Sequence, residues 1–349
     1  MKAMAKTLSG LYFHIPFCKS KCPYCDFYSV KYTEKASEQY VQRLLEEIKK
    51  HSGSFDTVYF GGGTPSILAP ELLCKILDAA GSYFEIDRNA EITVECNPSK
   101  NLEKDFEIYK SHGINRVSIG MQSARNEERF ALGRSAGKTE VAKAISDCKT
   151  TGISNISLDI MLGTPGQTLS SLDETFEFIE KMNVTHISAY MLKLEPGTKF
   201  FEMRKTLTLP DEDIVAEMYL KTVAQLKKLG FNQYEISNFA KPGFESRHNL
   251  KYWHLNDYLG IGASAHSLLS GKRFYYDSNF DLVPDGTGAD SNEKIMLGLR
   301  MNKGINKKLI KKDYSSYINC GLMTECGSNI ALTPEGMLVS NVIIGELLQ

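Results

Sequence analysis

The chain has 349 residues, 42% of them hydrophobic and 24% charged, with a formal net charge of −1. This is enough for one large globular domain and a smaller one, with no basic field to gather nucleic-acid phosphates. No run approaches the ~20 apolar residues of a membrane span, the first ten residues are too short and too polar for a secretion signal, and eight cysteines in such a chain read as reduced thiols and metal ligands in the cytoplasm.

The first two-thirds alternates β-rich runs with amphipathic stretches. Strands are expected at 11–15, 57–60, 91–95, 116–120, 156–160 and 186–191, and helices near 38–50, 70–83, 102–112, 139–150 and 171–182. Such alternation implies parallel strands joined by right-handed helical crossovers. Six units predict an α/β fold, a partial (β/α)6 barrel over residues 1–230, closed by a helix near 211–229. Functional groups in barrels of this type collect where strands end. Residues 231–280 are expected as a β-rich extension and 281–292, polar and broken by Pro and Gly, as a linker. Residues 293–349 are expected as a small, mainly helical, winged-helix-like module, with Thr333-Pro-Glu-Gly336 starting a helix.

Cys18, Cys22 and Cys25 stand in a C-x3-C-x2-C spacing after the first apolar run. Structural zinc takes four ligands, whereas three thiolates suit a [4Fe–4S] cluster with one open iron. The remaining cysteines, Cys74, Cys96, Cys148, Cys320 and Cys326, are scattered and read as small apolar residues. Gly61-Gly-Gly-Thr-Pro65 follows a β run. Gly62, Gly63 and Thr64 there serve either close backbone approach to a ligand or a tight turn. Glu95 ends another run, as a ligand-binding carboxylate, a helix cap or a surface charge. An inward Asp159 in an apolar run needs a partner. Arg134 suits a bound carboxylate by its planar fork, or is a solvated helix charge. His248, Tyr252 and Trp253 fall in Arg247-His-Asn-Leu-Lys-Tyr-Trp253. Taken alone, His248 reads first as half of a buried His–Asn hydrogen-bond pair beside a core aromatic, and otherwise as a ligand.

The cysteine spacing, with Tyr24 just before the third cysteine, resembles the signature of the radical S-adenosylmethionine (SAM) enzymes. Over nearly its whole length the chain resembles the oxygen-independent coproporphyrinogen III oxidases and their relatives, most of all the heme chaperone branch. Phe27 stands where the oxidases carry a further cysteine, the first strand is reached within about ten residues where the oxidases carry a longer N-terminal segment, and 247–253 matches the H-N-x-x-Y-W motif of that branch. Ser264 stands where relatives often carry glycine, and the linker is shorter than usual.

The resemblance implies a [4Fe–4S] cluster on Cys18, Cys22 and Cys25, and SAM held by Tyr12, Tyr24, Gly62, Gly63, Thr64, Glu95, Gln122, Arg134 and Asp159. In it the glycine loop takes the amino end of SAM, Glu95 its ribose hydroxyls and Arg134 its carboxylate. It implies heme as cargo against His248, Tyr252 and Trp253, with His266 a second candidate. Heme would pass to acceptors such as respiratory enzymes, with an external reductant such as flavodoxin and a homodimer as further partners, and without coproporphyrinogen oxidase activity. The other readings are the oxidase itself, which decarboxylates propionate side chains, and a radical methyltransferase.

Overall fold

The computed structural model describes residues 8–98 and 102–348. The first seven residues, on which the reading of a leader partly falls, lie outside the described residues, as do 99–101 and 349.

The barrel runs β1 (Ser9–Ile15), α1 (Glu34–Ile48), β2 (Ser54–Gly62), α2 (Pro70–Tyr83), β3 (Glu85–Cys96), α3 (Glu103–Ser111), β4 (Arg116–Gln122), α4 (Asn126–Ala131), α5 (Lys138–Thr150), β5 (Asn155–Leu162), α6 (Leu169–Met182) and β6 (His186–Met191). The six strands pair in this order, all parallel. Helix starts are set locally: Thr33 accepts from Ala36 N ahead of α1, and Thr168 from Ser171 N ahead of α6.

Strand periodicity sorts the residues into two faces. Leu11, Phe13, Val58, Phe60, Val94, Val117, Ile119, Ile156, Leu158 and Ile187 are fully buried in the main core, packed with the helices. The alternate set faces the interior and is polar: Tyr12 and His14, Thr57 and Tyr59, Glu91 and Glu95, Ser118 and Gln122, Ser157 and Asp159. These side chains bond one another from strand to strand, as in Tyr59 to Glu95 (2.8 Å), Ser118 to Asp159 (3.1 Å) and Ser157 to His186 (2.7 Å). The interior is thus a polar chamber within an apolar shell.

After α7 (Lys199–Glu202) and α8 (Glu212–Lys228), the expected extension at 231–280 divides between the two edges of one sheet. β7 (Asn232–Gln233) and β8 (Asn238–Ala240) continue antiparallel from β6. The chain then forms α9 (Arg247–Trp253), whose first two amides, of Arg247 and His248, both donate to the Glu91 carboxylate at 3.1 Å. β9 (Tyr258–Ile261) adds a seventh parallel strand beside β1, followed by antiparallel β10 (His266–Leu269), β11 (Lys272–Tyr276) and β12 (Leu282–Thr287). The stretch expected as a linker therefore holds a paired strand. Pro284 is tolerated because β12 is the outermost strand, where a missing backbone donor costs no ladder bond.

The C-terminal module holds α10 (Ser291–Gly298), β13 (Ile305–Asn306), α11 (Ser315–Asn319), β14 (Met323–Cys326), β15 (Asn329–Leu332), α12 (Pro334–Leu338) and α13 (Ser340–Leu347). Its short helices pack around a three-stranded antiparallel sheet, β13–β15–β14. It is stitched to the barrel by a Glu235–Met301 bridge and by Tyr219 Oη, 3.4 Å from Met337 Sδ. No helix among the described residues is long and apolar enough to cross a membrane.

Candidate functional site

The cysteine loop leaves the end of β1. Phe17–Cys18 pairs with Val30–Lys31 and closes it. Cys18, Cys22 and Cys25 are all half-buried. Cys25 N donates to Cys22 O at 3.1 Å, and Cys18 Sγ lies 3.7 Å from Thr64 Oγ1. Burial pushes the Cys25 thiol up. Among the described residues no three His, Cys, Asp or Glu side chains converge on one ion. A cube asks for no such convergence, because each thiolate holds a different iron. The loop is braced from β4 onward. Arg134 Nη2 donates to the Tyr24 hydroxyl at 2.7 Å, Phe200 N donates to Pro23 O at 2.9 Å, and Gly133, at φ +73°, leaves no room for a Cβ beside Pro23.

The glycine loop presses on the same strand end. A Cβ on Gly62, at φ +115°, would stand 2.7 Å from the His14 ring, and one on Gly63 would stand 2.7 Å from Phe17 O. Gly63 N and Thr64 N donate to Ile15 O and Phe17 O, both at 2.9 Å, and Gly62 N to Glu95 Oε2 at 3.2 Å. These three amides are spent within the protein, so they do not serve as an anion cradle.

Glu95 faces a cavity of about 490 Å³ together with Tyr12, His14, Phe27, Gly62 and Tyr252. Burial, reinforced by the nearby Asp159 charge, pushes its carboxyl up to about 7. His14, which the sequence reading did not single out, has Nε2 3.3 Å from Tyr28 O and Nδ1 3.1 Å from the Tyr12 hydroxyl. The carbonyl can only accept, so Nε2 carries the proton and Nδ1 accepts from Tyr12. Burial pushes His14 down to about 4. The signal that could have found His14 and Tyr59 was the alternation that places them on the face of Glu95.

Gln122 is the last residue of β4, at φ +71° just past a register shift after Gly120. A non-glycine residue held there is strained, a feature that clusters at functional sites. A Cβ on Gly120 would stand 3.1 Å from Gln122 Nε2 and 3.6 Å from Arg134 Nη1, so all three meet at one point. Arg134 Nη1 donates to Asn97 Oδ1 at 3.1 Å, while its Nε is buried without a partner. Asp159 lies within β5 rather than after it; Ser118 is its partner, and burial pushes its carboxyl up. Ser264 lines the first cavity at φ +67°, a conformation that favours glycine.

Residues 12–179 match the family model described as the radical SAM superfamily. The chain is 32% identical to the heme chaperone HemW of Lactococcus lactis, over 99% of its own length and 98% of that protein's. It is 31% identical to the HemW of Bacillus subtilis, over 98% and 99%. The chain belongs to the HemW family of radical SAM proteins. Among solved structures, coproporphyrinogen III oxidase (HemN) from Escherichia coli, a radical SAM enzyme, shares its fold. The TM-score is 0.81 at 20% identity, covering 97% of this chain and 89% of that one.

Membership of the radical SAM superfamily implies a [4Fe–4S] cluster and SAM, and the residues present fit both. Three half-buried thiols share one loop, the glycine loop reaches it with Thr64 Oγ1 3.7 Å from Cys18 Sγ, and the buried Arg134 has a donor to spare. The HemW-type motif departs from expectation at His248. It is fully buried, with Nδ1 2.8 Å from Thr57 Oγ1, Nε2 2.8 Å from the Tyr252 hydroxyl, and its ring stacked 5.1 Å from that of Tyr59. Both nitrogens are engaged, so as placed it offers none to an iron. Burial pushes it down to about 3. Asn249, Tyr252 and Trp253 instead line a second cavity, of about 620 Å³. His266 is exposed on β10, stacked 5.0 Å from Tyr275, and borders the first cavity.

Proposed function

We propose that this chain is a heme chaperone, carrying a [4Fe–4S] cluster, SAM and heme, and handing the heme to acceptor proteins such as respiratory enzymes. The observation that carries this reading is the similarity to proteins named heme chaperone over 98–99% of both lengths. Phe27 supports it against an oxidase: it is exposed at the first cavity, where the oxidases carry a further cysteine.

In this reading Cys18, Cys22 and Cys25 hold the cluster. Together the cluster and SAM supply one-electron reduction of a sulfonium. The carbonyls around Gly62, Gly63 and Thr64 receive the ammonium of SAM, the Arg134 fork its carboxylate and Glu95 its ribose hydroxyls. Tyr12, Tyr24, Gln122 and Asp159 complete the SAM site. Tyr252 and Trp253 meet the heme, and His248 holds Tyr252 in place. An external donor such as a flavodoxin would reduce the cluster, two copies would pair as a homodimer, and the protein would act in the cytoplasm.

The test is an anaerobic heme titration of cluster-reconstituted protein, followed by transfer to a heme-free acceptor. Stoichiometric binding and transfer support the reading. Failure to bind heme, with protoporphyrinogen formed from coproporphyrinogen III, SAM and a strong reductant, replaces it with the oxidase.

A further inference from the structure

The two cavities meet at one wall. Tyr252 and Tyr258 pack edge to face, 4.6 Å between ring centroids, and both border both cavities. On the first side stands the Glu95 carboxylate. On the second stand Trp253 and two guanidiniums, Arg273 from β11 and Arg300 from the C-terminal module. The geometry points to the second cavity as the seat of a flat aromatic dicarboxylate of the heme class, its ring against Trp253 and Tyr258 and its two propionates on Arg273 and Arg300. This assignment rests on the heme chaperone reading and adds to it where the cargo sits and what holds it.

Four observations carry it. A volume of about 620 Å³ is in the range of cofactor sites, which are largely aromatic with a few placed polar groups. Trp253, the single tryptophan of the chain, is half-buried here and offers a large rigid face. Arg300 is held in place, since its carbonyl accepts from Ile236 N at 2.8 Å and its Nη2 donates to Asn341 Oδ1 at 2.9 Å. Among the described residues it has no acidic partner, so most of its five donors remain for a ligand. Arg273 is anchored by Glu293 and by the Tyr258 hydroxyl at 3.3 Å, beside the ring that would face the ligand.

No histidine, cysteine or methionine lines this cavity among the described residues. Ring and carboxylates, rather than an imidazole–iron bond, therefore carry recognition. Two carboxylates also line the second cavity, but both are engaged: Glu293 is paired with Arg273, and Glu235 accepts from Ser237 N and the Asn238 amide. Arg300 is therefore the guanidinium with most to offer a propionate, whereas among the described residues no guanidinium lines the first cavity beside Glu95.

The experiment titrates heme and heme dimethyl ester, whose propionates are uncharged, into the reconstituted full chain and its Arg300→Gln variant, following Trp253 fluorescence and heme absorption. The expected result is heme binding by the parent, about tenfold weaker for the ester, and about tenfold weaker heme binding by Arg300→Gln with its ester binding unchanged. Equal binding of heme and ester by the parent overturns the site without need of a variant. Equal heme binding by parent and Arg300→Gln also overturns it, while the heme chaperone reading stands. A parent that binds neither overturns both.

Discussion

The His248 imidazole meets the Tyr252 hydroxyl at 2.8 Å across one turn of α9, bracing the aromatic wall between the two cavities. Its other nitrogen bonds Thr57 on β2, so one side chain ties α9 to the barrel interior.

His248→Ala removes both bonds and leaves a cavity. The expected cost is about 3 kcal/mol of stability, read by urea unfolding, because two buried hydroxyls lose their partner. A role as iron ligand predicts the opposite pattern, an altered heme spectrum with little loss of stability.

The same residue gives a pH signature. Burial lowers it from 6.5 to about 3, so the folded state keeps it neutral where the unfolded chain would protonate it. Its contribution is complete above pH 6.5 and drains away as the pH falls from there through about 3. His248→Gln is expected to make the fall in unfolding free energy between about pH 7 and pH 4 less steep than in the parent, leaving the share due to His14 and His186.

Glu95 should set the pH dependence of SAM binding. With its carboxyl pushed up to about 7, it is half protonated near neutrality and best able to accept from two hydroxyls once ionised. SAM affinity, measured by calorimetry, should rise as the pH rises through about 7. Glu95→Gln should bind about tenfold more weakly, with that dependence gone. A parent whose affinity is flat across this range would contradict the assignment.

Cys18→Ser, Cys22→Ser and Cys25→Ser should each lose the broad visible absorption of the reconstituted cluster. Cys326→Ser, at an exposed site on β14, should keep it. Equal absorption in all four would remove the cluster from this loop.

Gly62→Ala places a Cβ against His14 at φ +115°, and is expected to cost about 2 kcal/mol and to weaken SAM binding. Gly81→Ala in α2 meets nothing within 4 Å and should instead stabilise by about 0.5–1 kcal/mol. Thermal melts of the two variants should therefore move in opposite directions.

The six barrel strands were legible because each has its own local alternation, apolar toward the helices and polar toward the chamber. β9 was not. Its four residues, Tyr258–Ile261, run into a glycine-rich stretch, and their pairing with Gly10–Phe13 joins opposite ends of the chain. Residues 282–287 carried the composition of a linker, and only the place of β12 at the outer edge makes it a strand. Glu95, Gln122 and Arg134 were readable as candidates from motif and position. The meeting of Gln122 with Arg134 beside Gly120 was not, since it depends on a shifted register in β4 and a loop braced on Pro23.

What the sequence by itself determined is what covalent order dictates: three thiols spaced to share one loop, glycines where a side chain cannot fit, and alternation that makes a barrel with a polar interior. The tertiary structure alone decided that His248 spends both nitrogens on Thr57 and Tyr252, and that Tyr252 and Tyr258 form the wall between the cavities. The His248–Thr57 bond joins residues 191 apart in the chain, and Tyr252 and Tyr258 become a wall only because Tyr12 and Glu95 from the barrel and Arg300 from the C-terminal module are brought to its two sides; no local pattern encodes such meetings.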